Sequence, residues 1–321
     1  MDPITHGALG AATAQLVLFK KNKQNAWIVG ALAAMAPDLD IFIRSDTNPM
    51  LQLLYHRNFT HAISFIPLGA ILVTLGLMIF KRFRKDWPGT FLAAFIGFST
   101  HGLLDACTSY GTMLFWPFSD ARISWDLIAI IDPFFTFPII LGLTWTIVNN
   151  NRLGTIIGLL LAGSFLLFNS YQHSRAISAS LSYGKQQNLQ ITRLRSFPFL
   201  LSSTYWRTAI DSNQQFYLAD VHTPLSSNTK VKALGNYPKF LSTELPNYVK
   251  ESPSLLQDFK IFNWFTEDSL ILAGESPLTL VDGRYLIGEH PLIALWGIQF
   301  LPGKTHVDSL GFIKLEAKNG T

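Results

Sequence analysis

The sequence predicts an α-helical polytopic membrane domain followed by a small α+β or mainly β extramembrane domain. Three observations carry that prediction. Hydrophobic residues make up 49% of the 321 residues and charged ones only 14%, a balance outside the usual range of soluble domains. The apolar residues lie in long runs that stop at Asn169, after which the chain is mixed, polar and broken by Pro, Gly, Asn and Ser. Every acidic residue before Glu244 is an aspartate, a type that suits helix ends and compact hard-ion sites better than helix interiors. The predicted division is a helical membrane domain over 1–169, a stalk or linker over 170–191 and a strand-rich extramembrane domain over 192–321.

Charge narrows the function classes. The net charge of +4 is shared evenly, with 11 basic and 9 acidic residues up to Asn169 and 14 and 12 beyond it. No face or block concentrates Lys and Arg, which argues against nucleic acid as a partner. Cys107 is the one cysteine, so an internal disulfide and a Cys-rich zinc site are both excluded. The opening MDPITHGALGAA has no basic n-region of a signal peptide, and the membrane segments are expected to target the chain.

Taken in order, the apolar segments 7–19 and 26–43 are short or interrupted for full crossings, and 62–80, 90–107, 127–148 and 153–168 are expected to be embedded. Pro37 breaks the second segment and biases the residue before it toward extended backbone. If the chain there is extended, Asp38 and Asp40 point the same way; if the helix resumes, only one of them faces a given site. Residues 169–191 are expected to continue as a helical stalk with Tyr171, Arg175, Ser178 and Ser182 on its polar face. Strand-like runs follow at 204–210, 215–221, 259–264, 269–273, 278–281 and 292–300, separated by turn signals such as Asp282-Gly283 and Pro302-Gly303.

Basic residues set the topology. Lys20, Lys21 and Lys23, then Lys81, Arg82, Arg84 and Lys85, then Arg152 fall in alternate connections, which the positive-inside rule places in the cytoplasm. The expectation is a multi-pass protein of the bacterial inner membrane with its C-terminal domain on the non-cytoplasmic side. On that trace His6, Asp38, Asp40, His56, His61, His101, Asp105, Asp126 and Asp132 all fall at the non-cytoplasmic ends of their segments. The stretch STHGLLDACTSYGT at 99–112 is the centre of this convergence. His101 and Asp105, four apart, lie roughly 40° from one another on a helix, with Thr108 one turn on and Gly111 expected to end the helix. An ionisable residue in such a run costs a few kcal/mol unless paired, coordinated or solvated.

Imidazole and carboxylate without thiolate suit Zn first, with Mn or Fe(II) as alternatives, in one or two metal sites. Asp38 and Asp40 are candidates for ligand or general base. Arg57 suits either a phosphate or carboxylate oxygen or a lipid headgroup. His173, His222, His290 and His306 show no paired spacing and read as surface or packing residues. The aromatic run 115–137 reads as an interface belt. Two other readings use the same residues: a membrane protein whose cluster is structural or carries a proton or metal across the bilayer, and an anchor for a partner-binding C-terminal domain.

PITHGALGAA, APDLD, HRNFTHA, STHGLLDACTSYGT and WPFSDARISWDLIAIIDPFFT together resemble the bacterial membrane-bound metal-dependent hydrolases, also labelled LexA-binding inner-membrane-associated hydrolases, which are remotely similar to zinc-dependent phospholipase C. The resemblance covers roughly residues 1–137, and RSFPFLLSSTYWRTAID with FYLAD is similar to that family's extramembrane region. It implies hydrolysis as the reaction class and His6, Asp38, Asp40, His56, His61, His101 and Asp105 as the metal residues. Combined with the depth of the cluster, this leads to the expectation of a membrane lipid or lipid-linked substrate carrying a phosphoester or ester; a protein partner stays open.

Overall fold

The computed structural model describes residues 1–20, 25–289 and 291–315; Lys21, Lys23 and His290 lie outside them. Helix α1 (Pro3–Leu18) starts where Asp2 accepts the Thr5 amide at 3.0 Å and Pro3 fills the first turn, an arrangement that satisfies one orphan donor and presets the helical φ. α2 (Ala26–Met35) gives way at Pro37 to a 3-10 turn over Ala36–Phe42, so Asp38 and Asp40 sit on neither extended chain nor α-helix. α3 (Met50–Tyr55) and two 3-10 turns, Phe59–His61 and Ile63–Phe65, precede α4 (Ile66–Leu77). The short α5 (Lys81–Arg84) leads into α6 (Trp87–Ala106), capped by Asp86. α7 (Pro133–Asn149) begins only at Asp132-Pro133, where the Asp132 carboxylate accepts the Phe134 amide; the stretch 127–132, expected as helix, is irregular. α8 (Leu153–Gln186) runs 34 residues without a break through the expected stalk.

Among the described residues α8 is the one unbroken helix long and apolar enough to cross a bilayer, and the Met50–His61 and Ile63–Leu77 pair, bent by 61°, is a second candidate. The remaining apolar helices are shorter than the ~20 residues a crossing needs, except α6, which carries the polar residues of the site.

The chain divides into two compact units. The first holds Met1–Phe42, His56–Arg175 and Phe197–Trp206; the second holds Ile43–Tyr55, Ala176–Ser196 and Arg207–Thr321. In the first, α1, α2 and α6 meet at backbone distance. A Cβ on Gly30 would lie 2.3 Å from the Gly10 carbonyl oxygen, and one on Gly97 would lie 2.3 Å from that of Gly30. The core cluster there includes Ala14, Ala26, Ala33, Ala93 and Ala94, with Leu18, Val29, Phe83 and Phe98 beside them. Such small-residue seams are how helices pack where water supplies no driving force.

In the second unit β1 (Ile191–Pro198), β2 (Tyr205–Ser212), β3 (Gln215–His222) and β4 (Lys230–Pro238) form a four-stranded sheet in that order. After α9 (Asn247–Lys250) and α10 (Pro253–Phe265), a five-stranded sheet follows from β5 (Leu270–Glu275), β6 (Leu278–Asp282), β7 (Leu286–Ile287), β8 (Leu292–Phe300) and β9 (Asp308–Leu315). β8 is its spine, antiparallel to β6, β7 and β9. The expected strand 259–264 is part of α10 instead. Ser252 caps that helix and Pro253 opens it, and Leu255, Phe259, Phe262 and Phe265 bury one face at helical spacing. α3 packs on α10, with Met50 almost wholly buried.

Candidate metal centre

α6 supplies the first two groups. His101 and Asp105, one turn apart and both without solvent exposure, bring His101 Nε2 within 3.4 Å of Asp105 Oδ2. The other ring nitrogen, His101 Nδ1, lies 2.5 Å from the carbonyl oxygen of Ala34 at the end of α2. A carbonyl only accepts, so Nδ1 carries the proton and Nε2 is left with a bare lone pair.

His61 arrives from the 3-10 turn Phe59–His61. The turn can come this close because Gly102 faces it: a Cβ there would stand 2.2 Å from the His61 carbonyl oxygen. His61 Nδ1 lies 3.2 Å from Asp40 Oδ2 and 3.0 Å from Thr60 Oγ1, which itself donates to Asp40 Oδ2 at 2.9 Å. That chain of bonds puts the His61 proton on Nδ1 and turns its Nε2 toward His101. The two Nε2 atoms are 2.8 Å apart. Asp105 Oδ2 is 3.2 Å from His61 Nε2, and Asp38 Oδ1 is 3.5 Å from each of the two Nε2 atoms.

Asp38, His61, His101 and Asp105 therefore form a group whose ligand atoms all lie within 4.8 Å of one another. A tetrahedral ion with bonds of about 2.0–2.1 Å needs ligand atoms about 3.3 Å apart, and the separations of 2.8 to 3.5 Å bracket that value. Asp105 Oδ2, buried in the middle of this group, has no hydrogen-bond partner among the described residues. The donor set, two bare imidazole nitrogens and two carboxylates, fits a divalent ion.

The surrounding residues hold this group from behind. The other oxygen of Asp105, Oδ1, takes the terminal ammonium of Met1 and, at 3.2 Å, His6 Nε2. His6 stacks on His101 with ring centroids 3.7 Å apart, and its Nδ1 is a second buried atom without a partner among the described residues. Arg57 is buried as well. Its Nε stands 3.3 Å from Asp105 Oδ2, its Nη1 donates to Thr108 Oγ1 at 2.9 Å, and its guanidinium lies over Tyr110. Arg57 adopts φ 61, a left-handed conformation that a non-glycine residue keeps only where its surroundings over-determine it. Here the Asp40 carboxylate accepts its amide at 3.0 Å and Met113 donates to its carbonyl oxygen.

Asp40 is occupied on both oxygens, with His56 Nδ1 at 2.8 Å on Oδ1 and Arg57, Thr60 and His61 on Oδ2. It also belongs to a second group of ligand-bearing residues, Asp38, Asp40 and His56, but there its lone pairs are already engaged. Asp38 and His56, with side chains 20% and 19% exposed, form the open side. All of the expected residues from His6 to Asp105 thus meet in one locality. Asp132 serves as a helix cap, and neither it nor Asp126 joins either group. α6 ends at Ala106 rather than at Gly111, yet the Thr108 hydroxyl still reaches back to the Asp105 carbonyl oxygen at 2.7 Å. Sequence reasoning missed the Thr60 hydroxyl, Tyr110, the Ala34 carbonyl and the Met1 amine. The Thr60-His61 dipeptide held a signal for the first; the last two are backbone groups with no side-chain signature.

Outside this locality, the His173 ring lies tilted against that of Trp206 with centroids 5.4 Å apart, and His306 Nδ1 sits 3.0 Å from the buried Asp258 carboxylate.

The fold and site define a helical unit with a buried His/Asp group of metal-binding geometry, followed by a β-rich domain. The family model described as YdjM inner membrane protein matches residues 1–176. The chain belongs to that family, which carries the label of a LexA-binding inner-membrane-associated hydrolase. No curated protein and no solved structure matches it.

Proposed function

We propose that this chain is a multi-pass, membrane-bound, metal-dependent hydrolase acting on a phosphoester or ester of a lipid or envelope substrate. Zn is the expected ion, with Mn or Fe(II) as alternatives. One observation carries the reading: two imidazole Nε2 atoms, 2.8 Å apart and so within reach of an N–H···N bond, lie together with two carboxylates whose ligand atoms are all within 4.8 Å of one another, a thiolate-free donor set that suits a divalent ion.

His61, His101, Asp105 and Asp38 would hold the ion, which when bound supplies Lewis-acid polarisation of a phosphoryl or carbonyl oxygen and acidifies water. Asp40 positions: it fixes the tautomer of His61 and anchors His56. His56, on the open side with Nδ1 held by Asp40, is assigned to proton transfer, the pairing of base and orienting carboxylate that general catalysis requires. Arg57 serves Asp105 as counter-charge rather than lying on a headgroup, because its side chain is buried. His6 backs Asp105 from the far side of the group.

The membrane reading has support in where the large apolar side chains lie. Leu72 and Leu75 of α4, Leu141 and Trp145 of α7, and Leu160 and Leu167 of α8 are all more than half exposed, while alanines and glycines line the seam between α1, α2 and α6.

The test is metal content of detergent-purified protein by inductively coupled plasma mass spectrometry, comparing wild type with His101→Ala, each also screened on phosphoester substrates. About one equivalent of metal in wild type, lost together with hydrolysis in the variant, is expected. Absence of metal from wild type even after reconstitution with each ion would overturn the reading and leave a hydrogen-bonded network.

A further inference from the structure

The segment joining β1 to β2 gathers several exposed apolar side chains in one place. Phe199, Leu200, Leu201 and Tyr205 are 36%, 62%, 53% and 49% exposed. No charged residue occurs between Arg195 and Arg207. Ser202, Ser203 and Thr204 complete the turn, and the exposed run Phe199-Leu200-Leu201 before them is an apolar patch of the kind that marks an interaction surface.

Contacts along α8 say where that tip goes. A Cβ on Gly184 would touch the Ile191 side chain at 2.6 Å. Ser180 donates to Thr208 Oγ1 at 3.0 Å. His173 lies against Trp206. The hairpin therefore runs back along α8, from the helix's polar end toward its apolar run, and its last residues, Phe197–Trp206, belong to the same compact unit as the apolar helices. Beyond Trp206 the tip extends by roughly 10 Å at a strand's rise per residue, which corresponds to about seven residues of helix. That brings it level with Leu166 and Leu167, at the edge of the stretch that α8 offers to the bilayer core.

We infer that the β1–β2 tip is a lipid-inserting finger, with Phe199, Leu200 and Leu201 seated in the membrane leaflet beside α8. A lipid surface is the occupant because the tip lies at the polar edge of the apolar run of a helix long enough to span, in a chain of an inner-membrane family. Tyr205, at the base of the tip, is an exposed amphipathic ring of the kind that anchors at a membrane interface, while Trp206 is buried against His173. The inference uses no property of the metal group.

The experiment places an environment-sensitive thiol-reactive fluorophore at Leu200→Cys in the full-length protein, reconstituted in nanodiscs of phosphatidylethanolamine and phosphatidylglycerol. Leu225→Cys, in the β3–β4 loop and 74% exposed, is the water-facing reference. Unsubstituted protein measures labelling of the buried Cys107. The expected result at position 200 is blue-shifted emission, quenching by lipids with a nitroxide on the acyl chain, and weak quenching by iodide, with the reverse at position 225. Emission and iodide quenching at 200 matching those at 225 would overturn the inference. So would protection from both quenchers, which would make the occupant protein rather than lipid.

Discussion

The two compact units both bury charge, and they treat it in opposite ways. In the β-rich unit the buried charges among the described residues meet partners that close them. Arg284 grips Asp282 through two nitrogens at 3.0 and 2.8 Å and reaches Glu267 at 2.8 Å. Arg207 forks onto Asp220 in the same way. Planar guanidinium against carboxylate saturates both sides, and nothing is left over. In the helical unit Asp38, Asp40 and Asp105 crowd together with imidazoles whose protons already point outward, to Ala34 and to Asp40. The result is a surplus of lone pairs aimed at one point. A saturated network is architecture; an unsaturated one in a buried place calls for an explanation, and the metal ion proposed above supplies one.

The sharpest way to break this contrast is to neutralise a carboxylate on each side. Asp105→Asn removes the charge that faces both Nε2 atoms, and it is expected to abolish bound metal altogether while hydrogen exchange of β8 in the full-length protein stays unchanged. Asp40→Asn is expected to do less, because it removes the carboxylate behind His61 rather than a member of the ligand group. Metal affinity should weaken by about 10- to 100-fold, measured by competition with a chromogenic chelator, with stoichiometry retained at high metal.

The smallest effect belongs to the β-rich unit. Burial pushes the Glu267 carboxyl up, but the charges of Arg195, Arg284 and Arg193 outweigh it and hold it below its ordinary value. A carboxylate depressed in the folded state contributes stability above its unfolded range and loses it as pH falls through the folded one. Glu267→Gln should therefore destabilise this unit by about 2 kcal/mol near neutral pH. The gap between variant and wild type should close in acid, below the ordinary carboxylate range, with metal content unaffected throughout. Loss of metal in Glu267→Gln would show that the two networks are not separate.

What was legible in the sequence follows the same line. The four-residue step from His101 to Asp105 is a property of one helix, and the strand 292–300 is a property of alternation within one run, so both could be read locally. α10 was misread because its aromatic run resembles a strand unless Ser252-Pro253 is taken as a cap and first turn. β1, β4 and β9 are half-exposed and lysine- or serine-bearing, which hides their period. Asp40's role depends on how residues 56–61 fold around it, and the lone-pair geometry depends on a backbone carbonyl in α2. No spacing rule reaches those.

One connection carries a consequence for how the protein is made. Residues Ile43–Tyr55 link the turn bearing Asp38 and Asp40 to the one bearing His56 and His61, yet they fold with the β-rich unit, where α3 rests on α10. α10 leaves the ribosome about 200 residues after α3, a delay on the order of 10–40 s at ordinary translation rates. Until then Met50 has no α10 to bury against, and the tether between the two ligand-bearing turns is slack. On the metal reading proposed above, nascent chains truncated before α10 should reach the membrane without capturing metal.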